Sequence, residues 1–81
     1  MAKATVKCFG VLRLDSKIGK AEIEAEKIID VFDKINELIE TGMSISYDDA
    51  LVYLNGERCK TKNKKLNDGD EVWLISPASG G

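Results

Sequence analysis

The chain has 81 residues, enough for one small domain and no second. Hydrophobic residues at 43% and charged residues at 32% exclude a disordered chain, and a net charge of −2 is too balanced to advertise DNA, RNA or an anionic membrane as partner. There is no histidine, and the two cysteines, Cys8 and Cys59, stand far apart, which excludes His-based acid/base catalysis, catalytic triads and four-thiolate metal sites.

Thr5 to Leu14 alternates with period two and predicts a first strand, with Val6, Cys8 and Leu12 on one face and Phe9, Val11 and Arg13 on the other. Asp15 to Gly19 reads as a turn. Ala21, Ile23 and Ala25 then alternate with Glu22, Glu24 and Glu26, so a second strand with one wet face closes a hairpin. Ile28, Val31, Ile35 and Leu38, flanked by Phe32 and Ile39, have the spacing of an amphipathic helix. Its start near Lys27 lacks a Ser or Thr cap, and Gly42 is the expected residue just past its end. Gly42 to Asp49 is a polar connection. Leu51 to Leu54 predicts a strand, Asn55-Gly56 a hairpin turn, and Glu57 to Thr61 the returning strand. Lys62 to Lys65 is a solvated loop, Leu66 to Asp70 a turn, and Glu71 to Ile75 the last strand.

This order predicts an α+β fold, a mixed sheet with one main helix across one face. The face without a helix must be polar or must meet a partner. With Val6, Cys8, Leu12, Val72 and Leu74 turned to the helix, Phe9, Val11, Trp73 and Ile75 turn away from it and form a candidate interface. The duller alternative is that the Gly42 to Ala50 connection folds over them. Arg13 is either a plain surface charge or a partner for an acidic group on another protein. The basic stretch from Arg58 to Lys65 has no interleaved aromatics, which argues against nucleic acid. Cys8 reads as a small core hydrophobe, and Asp68 and Asp70 as turn residues rather than a calcium site. No run of ~18 apolar residues predicts a membrane span. A β-like stretch follows Met1 to Ala4 where a signal peptide would have an apolar block, so a cytoplasmic location with reduced thiols is expected.

The expected domain is 1–75, followed by an extended tail over 76–81 made of Ser76, Pro77, Ala78, Ser79, Gly80 and Gly81. Chain ends usually just fray. Here the composition argues for more, because glycines support no packing and are useful where a chain must pass a narrow channel. Fully extended, the tail reaches roughly 20 Å, far enough to place the Gly81 carboxylate inside another protein's active site. A carboxylate is inert until a leaving group is attached. ATP can supply one by adenylation, and a sulfur nucleophile could then displace AMP, which would make such a tail a substrate.

The run Leu66-Asn67-Asp68-Gly69-Asp70-Glu71-Val72, the apolar strand after it, Pro77 and the closing Gly80-Gly81 resemble the MoaD/ThiS family of ubiquitin-like sulfur carriers. Phe9-Gly10-Val11-Leu12-Arg13 and the Asn55-Gly56 hairpin are similar to its molybdopterin synthase small-subunit branch. The resemblance implies a β-grasp fold and a chain that is not a catalyst by itself and binds no cofactor. It implies that a ubiquitin-activating-type (MoeB-like) enzyme uses ATP to adenylate Gly81, which then becomes a thiocarboxylate. Gly80, Ser79, Ala78 and Pro77 would thread the tail into a MoaE-like molybdopterin synthase large subunit, where the sulfur goes to precursor Z. In the family this sheet face meets both partners in alternation, and Phe9 and Ile75 match positions of its apolar patch; Val11, Arg13 and Trp73 join the expected interface through the alternation already described. Leu74-Ile75-Ser76-Pro77 departs from the family's frequent pair of aromatics and pair of prolines. A thiamine-type carrier, a ubiquitin-like protein modifier and an interaction module with an idle tail are the alternatives.

Overall fold

The computed structural model describes residues 1–77. It contains five strands, β1 (Ala2–Phe9), β2 (Lys20–Ala25), β3 (Leu51–Leu54), β4 (Glu57–Arg58) and β5 (Asp70–Ile75). There are two helices, α1 (Val11–Ser16) and α2 (Ile28–Leu38), and a 3-10 turn at Tyr47–Asp49. The strands form one sheet in the order β2-β1-β5-β3-β4. β1 and β5 run parallel at its centre, and every other pairing is antiparallel. With α2 laid across one face, this is the expected β-grasp arrangement.

Strand periodicity places the core. Ala4, Val6 and Cys8 of β1, Ile23 of β2, Val52 of β3, and Val72 and Leu74 of β5 are buried on one face of the sheet. The apolar stripe of α2, Ile28, Val31, Phe32 and Ile35, is buried with them. Each large aliphatic side chain taken from water here contributes ~1.5–3 kcal/mol, which a small domain with free cysteines needs.

The start of α2 is capped from a distance. The Ile28 and Ile29 N–H groups donate to the carbonyls of Lys64 and Lys62 at 3.0 and 2.8 Å. The Lys27 N–H donates to the Asp30 carboxylate at 3.2 Å. The Lys62 to Lys65 loop therefore has wet side chains and a structural backbone, which satisfies amides that an N-terminal helix turn leaves orphaned. The helix ends before the expected point. Ile39 is already extended (φ −76°, ψ 124°), and the Asn36 side chain binds both the N–H and the carbonyl of Ile45, at 2.8 and 2.9 Å. Ile45 is buried in the core, and Tyr47 packs edge-on to Phe32 of α2. The Gly42 to Ala50 connection thus folds along the helix side of the sheet.

The first strand differs from expectation at both ends, beginning at Ala2 in place of Thr5. It stops at Phe9, and Gly10 (φ 65°, ψ −140°) takes a conformation essentially confined to glycine and turns the chain into α1. Val11 and Arg13 consequently lie on a helix and not on β1. The hairpin between β1 and β2 is real, but its connection includes α1 and is no tight turn. At the other hairpin, Asn55 and Gly56 both have positive φ (53° and 86°), as a two-residue turn of the mirror type requires, but β4 is only two residues long.

Candidate functional site

The open face of the sheet divides into two ends. At the end where β5 finishes, register pairs Phe9 with Ile75 and Ile75 with Leu51. One step back, Trp73 stands opposite Tyr53. The Phe9 and Trp73 rings meet edge to face with centroids 5.6 Å apart, and Tyr53 lies 6.1 Å from Trp73 on its other side. All five side chains are half-buried, while the apolar stripe of α2 and Ile45 of the connection pack with the buried side chains of the other face.

The opposite end is charged. Lys7 pairs with Glu71 at 3.4 Å, and the Trp73 indole N–H donates to the same carboxylate. That indole hydrogen bond, and then the Lys7 charge, hold the Glu71 carboxyl below the usual glutamate range. Thr5, Glu22, Lys3 and Glu24 continue the polar surface across β1 and β2. The indole thus belongs to both ends, apolar in its ring and polar at its nitrogen.

Two turns hold β5 in place against this face. The Asp70 carboxylate accepts from the Asn67 N–H at 2.8 Å and from the Asn55 amide at 3.0 Å. Asn55 in turn accepts from the Glu71 N–H at 2.9 Å, and Asp68 accepts from the Lys3 N–H at 2.8 Å. Asp68 and Asp70 are therefore hydrogen-bonded turn residues. Among the described residues no group of three or more His, Cys, Asp or Glu is placed to hold a metal ion. No described helix is long and apolar enough to cross a membrane.

Beyond Ile75 the chain leaves the sheet at Ser76, whose hydroxyl accepts from the Val11 N–H at 3.2 Å, and Pro77 is exposed. Of the residues singled out from the sequence, Phe9, Trp73 and Ile75 come together on the open face. Val11 is 56% exposed on α1, beside the start of the tail, and Arg13 reaches along Gly19. Ala78, Ser79, Gly80 and Gly81 lie outside the described residues. Tyr53 and Leu51 were missed, although the alternation that turns Val52 inward also turns them outward. Neither thiol belongs to this face: Cys8 is buried, which pushes its pKa up, and the Cys59 thiol donates to the Thr61 carbonyl at 3.5 Å. The face offers shape and apolar area for recognition, with the start of a narrow tail at its edge.

A family model described as the ThiS family matches residues 6–81. No curated protein sequence matches the chain. Among solved structures, small archaeal modifier protein 1 from Methanosarcina acetivorans is 26% identical with a TM-score of 0.81, covering 100% of this chain and 98% of its own. A putative molybdopterin converting factor subunit 1 from Pyrococcus furiosus is 25% identical with a TM-score of 0.76, covering 96% and 100%. Subunits 1 and 2 of the Helicobacter pylori molybdopterin-converting factor were solved as a complex; that match, at 24% identity and a TM-score of 0.69 over 98% and 99% of the chains, is a likeness of fold.

Proposed function

The chain belongs to the ThiS family of ubiquitin-like sulfur carriers, and on that basis we propose that it carries sulfur as a thiocarboxylate on Gly81 for the synthesis of molybdopterin. The observation that supports this reading best is the position of the apolar face. Ile75 sits between Phe9 and Leu51 at the point where the chain leaves the sheet, so a partner that grips the face also meets the root of the tail at Ser76 and Pro77.

In this reading an adenylating enzyme of the ubiquitin-activating type binds first. The Gly81 carboxylate attacks the α-phosphate of ATP and expels pyrophosphate. A persulfide sulfur then attacks the acyl carbon, and AMP leaves. Cleavage of the resulting acyl disulfide by a second thiol frees the thiocarboxylate. The loaded chain next joins a large subunit, which contributes the catalytic groups, and transfers its sulfur to precursor Z. The carrier's own work is recognition through Phe9, Trp73 and Ile75, and delivery through Pro77, Ala78, Ser79, Gly80 and Gly81. The Pyrococcus furiosus relative supports the molybdopterin assignment.

The Methanosarcina acetivorans relative favours a second reading, in which Gly81 is joined to lysines of target proteins. The activation step is common to both. One experiment separates them: thiocarboxylated protein is combined with a large subunit and precursor Z, while cell extract is searched for isopeptide-linked Gly81. Dithiolene formation without adducts supports the molybdopterin carrier. Adducts without dithiolene formation support the modifier and overturn the first reading.

A further inference from the structure

Ser76 carries three constraints that the recognition face does not explain. The first is its hydroxyl, which accepts from the Val11 N–H at 3.2 Å across a separation of 65 residues. Val11 opens α1, and the first-turn amides of a helix have no partner inside it. Gly10, the residue before Val11, provides no side-chain cap. Ser76 therefore supplies from the far end of the chain the acceptor that α1 lacks.

The second constraint is spatial. A Cβ placed on Gly10 would run into Ser76 Oγ, so the missing side chain at Gly10 is what leaves room for the hydroxyl. Gly10 also adopts φ 65°, which suits glycine independently of that contact. The third constraint is Pro77. It fixes its own φ, biases Ser76 toward extended backbone and lacks the N–H that would let the strand pair further, so β5 ends at Ile75 and Ser76 is its first unpaired residue.

We propose that Ser76 is a positioning residue, fastening the root of the tail to the corner between β1 and α1 so that the chain leaves the sheet in one direction. The proposal rests on the sulfur-carrier reading above. A root already ordered in the free protein spares the activating enzyme the entropy of ordering it, which acts on binding and leaves the chemistry at the remote carboxylate untouched. Ser76 touches none of the reacting atoms.

The test uses the full chain, the activating enzyme and ATP–pyrophosphate exchange, with Ser76→Ala and Ser76→Thr beside the unchanged protein. Ser76→Ala is expected to raise KM for the carrier about three- to tenfold with kcat unchanged, the size of effect that losing one pre-ordered contact produces. Ser76→Thr, which keeps the hydroxyl, restores KM. Amide hydrogen exchange at Val11 gives a readout that does not depend on the enzyme: it accelerates in Ser76→Ala and returns in Ser76→Thr. Unchanged KM, a fall in kcat in place of a rise in KM, or unaltered Val11 exchange overturns the positioning role while an active unchanged protein leaves the carrier reading standing. If the unchanged protein is not adenylated at all, the carrier reading fails, and the positioning role fails with it.

Discussion

Phe9 and Trp73 sit on adjacent central strands and meet edge to face, with ring centroids 5.6 Å apart, on the sheet face opposite α2. Edge-to-face pairs of this kind contribute ~0.5–1.5 kcal/mol beyond the area they bury. The pair therefore presents a preformed surface, with little left to order when a partner arrives.

That rigidity gives the first prediction. Trp73→Ala weakens binding of the large subunit by ~2 kcal/mol or more, as expected for an aromatic anchor at the centre of an interface. Glu24→Ala, at the charged end of the same face, stays within ~0.5 kcal/mol. Calorimetric titration of both variants checks the contrast, and equal effects would remove Trp73 from the interface.

The β1–α1 corner gives the second. Gly10→Ala forces a side chain into positive φ and toward Ser76, so it costs ~1–3 kcal/mol of stability. Gly19→Ala meets only the movable Arg13 side chain, at 3.2 Å from Nε, and costs less. Urea unfolding of the two variants should rank them in that order.

Acid stability depends on Glu71. Its folded-state pKa lies below the ordinary value of 4.5, first because the Trp73 indole donates to it and then because of Lys7. A lowered folded pKa means that the contribution is present above 4.5 and is lost as the pH falls below that value through the folded pKa. Glu71→Gln keeps an acceptor for the indole and removes the titration. Its stability should fall less steeply than that of the unchanged protein over that acid range, measured by denaturant unfolding at successive pH values. Asp49, lowered by the Ser46 N–H and hydroxyl, titrates with the same sign in both proteins.

The thiols should react unequally. Cys8 is 1% exposed, and burial holds its thiol protonated, whereas Cys59 is half-buried near the surface. Under native conditions a thiol reagent should label Cys59 first and reach Cys8 only on unfolding. Mass mapping of the labelled peptides reads this directly.

Most of the fold was legible because its elements have clean periods. Ile28, Val31 and Ile35 mark α2, and Ile23 with Ala25 marks β2, through spacing alone. α1 was hidden because Leu12 points inward under either a strand or a helix period, so Val11 and Arg13 read as a continuation of β1. Only the Gly10 backbone breaks that continuity. The cap of α2 was invisible for another reason: its acceptors are the carbonyls of Lys62 and Lys64, and backbone groups leave no trace in residue identity. Gly42 suggested a helix end too late because Asn36 binds the returning Ile45 backbone, a contact set by tertiary structure. On the open face, alternation located Phe9, Trp73 and Ile75, while Tyr53 and Leu51 needed the β3–β5 register to join them.

The proposed carrier role stands or falls with sulfur loading of the Gly81 carboxylate. Intact mass spectrometry after incubation with ATP, an activating enzyme of this type and a sulfur source tests it most directly. The expected result is the mass increase of one oxygen replaced by one sulfur, mapped to Gly81, and none when Gly81 is deleted. No increase, with the same enzyme shown active on another carrier, would contradict it and leave a β-grasp protein that binds through its open face.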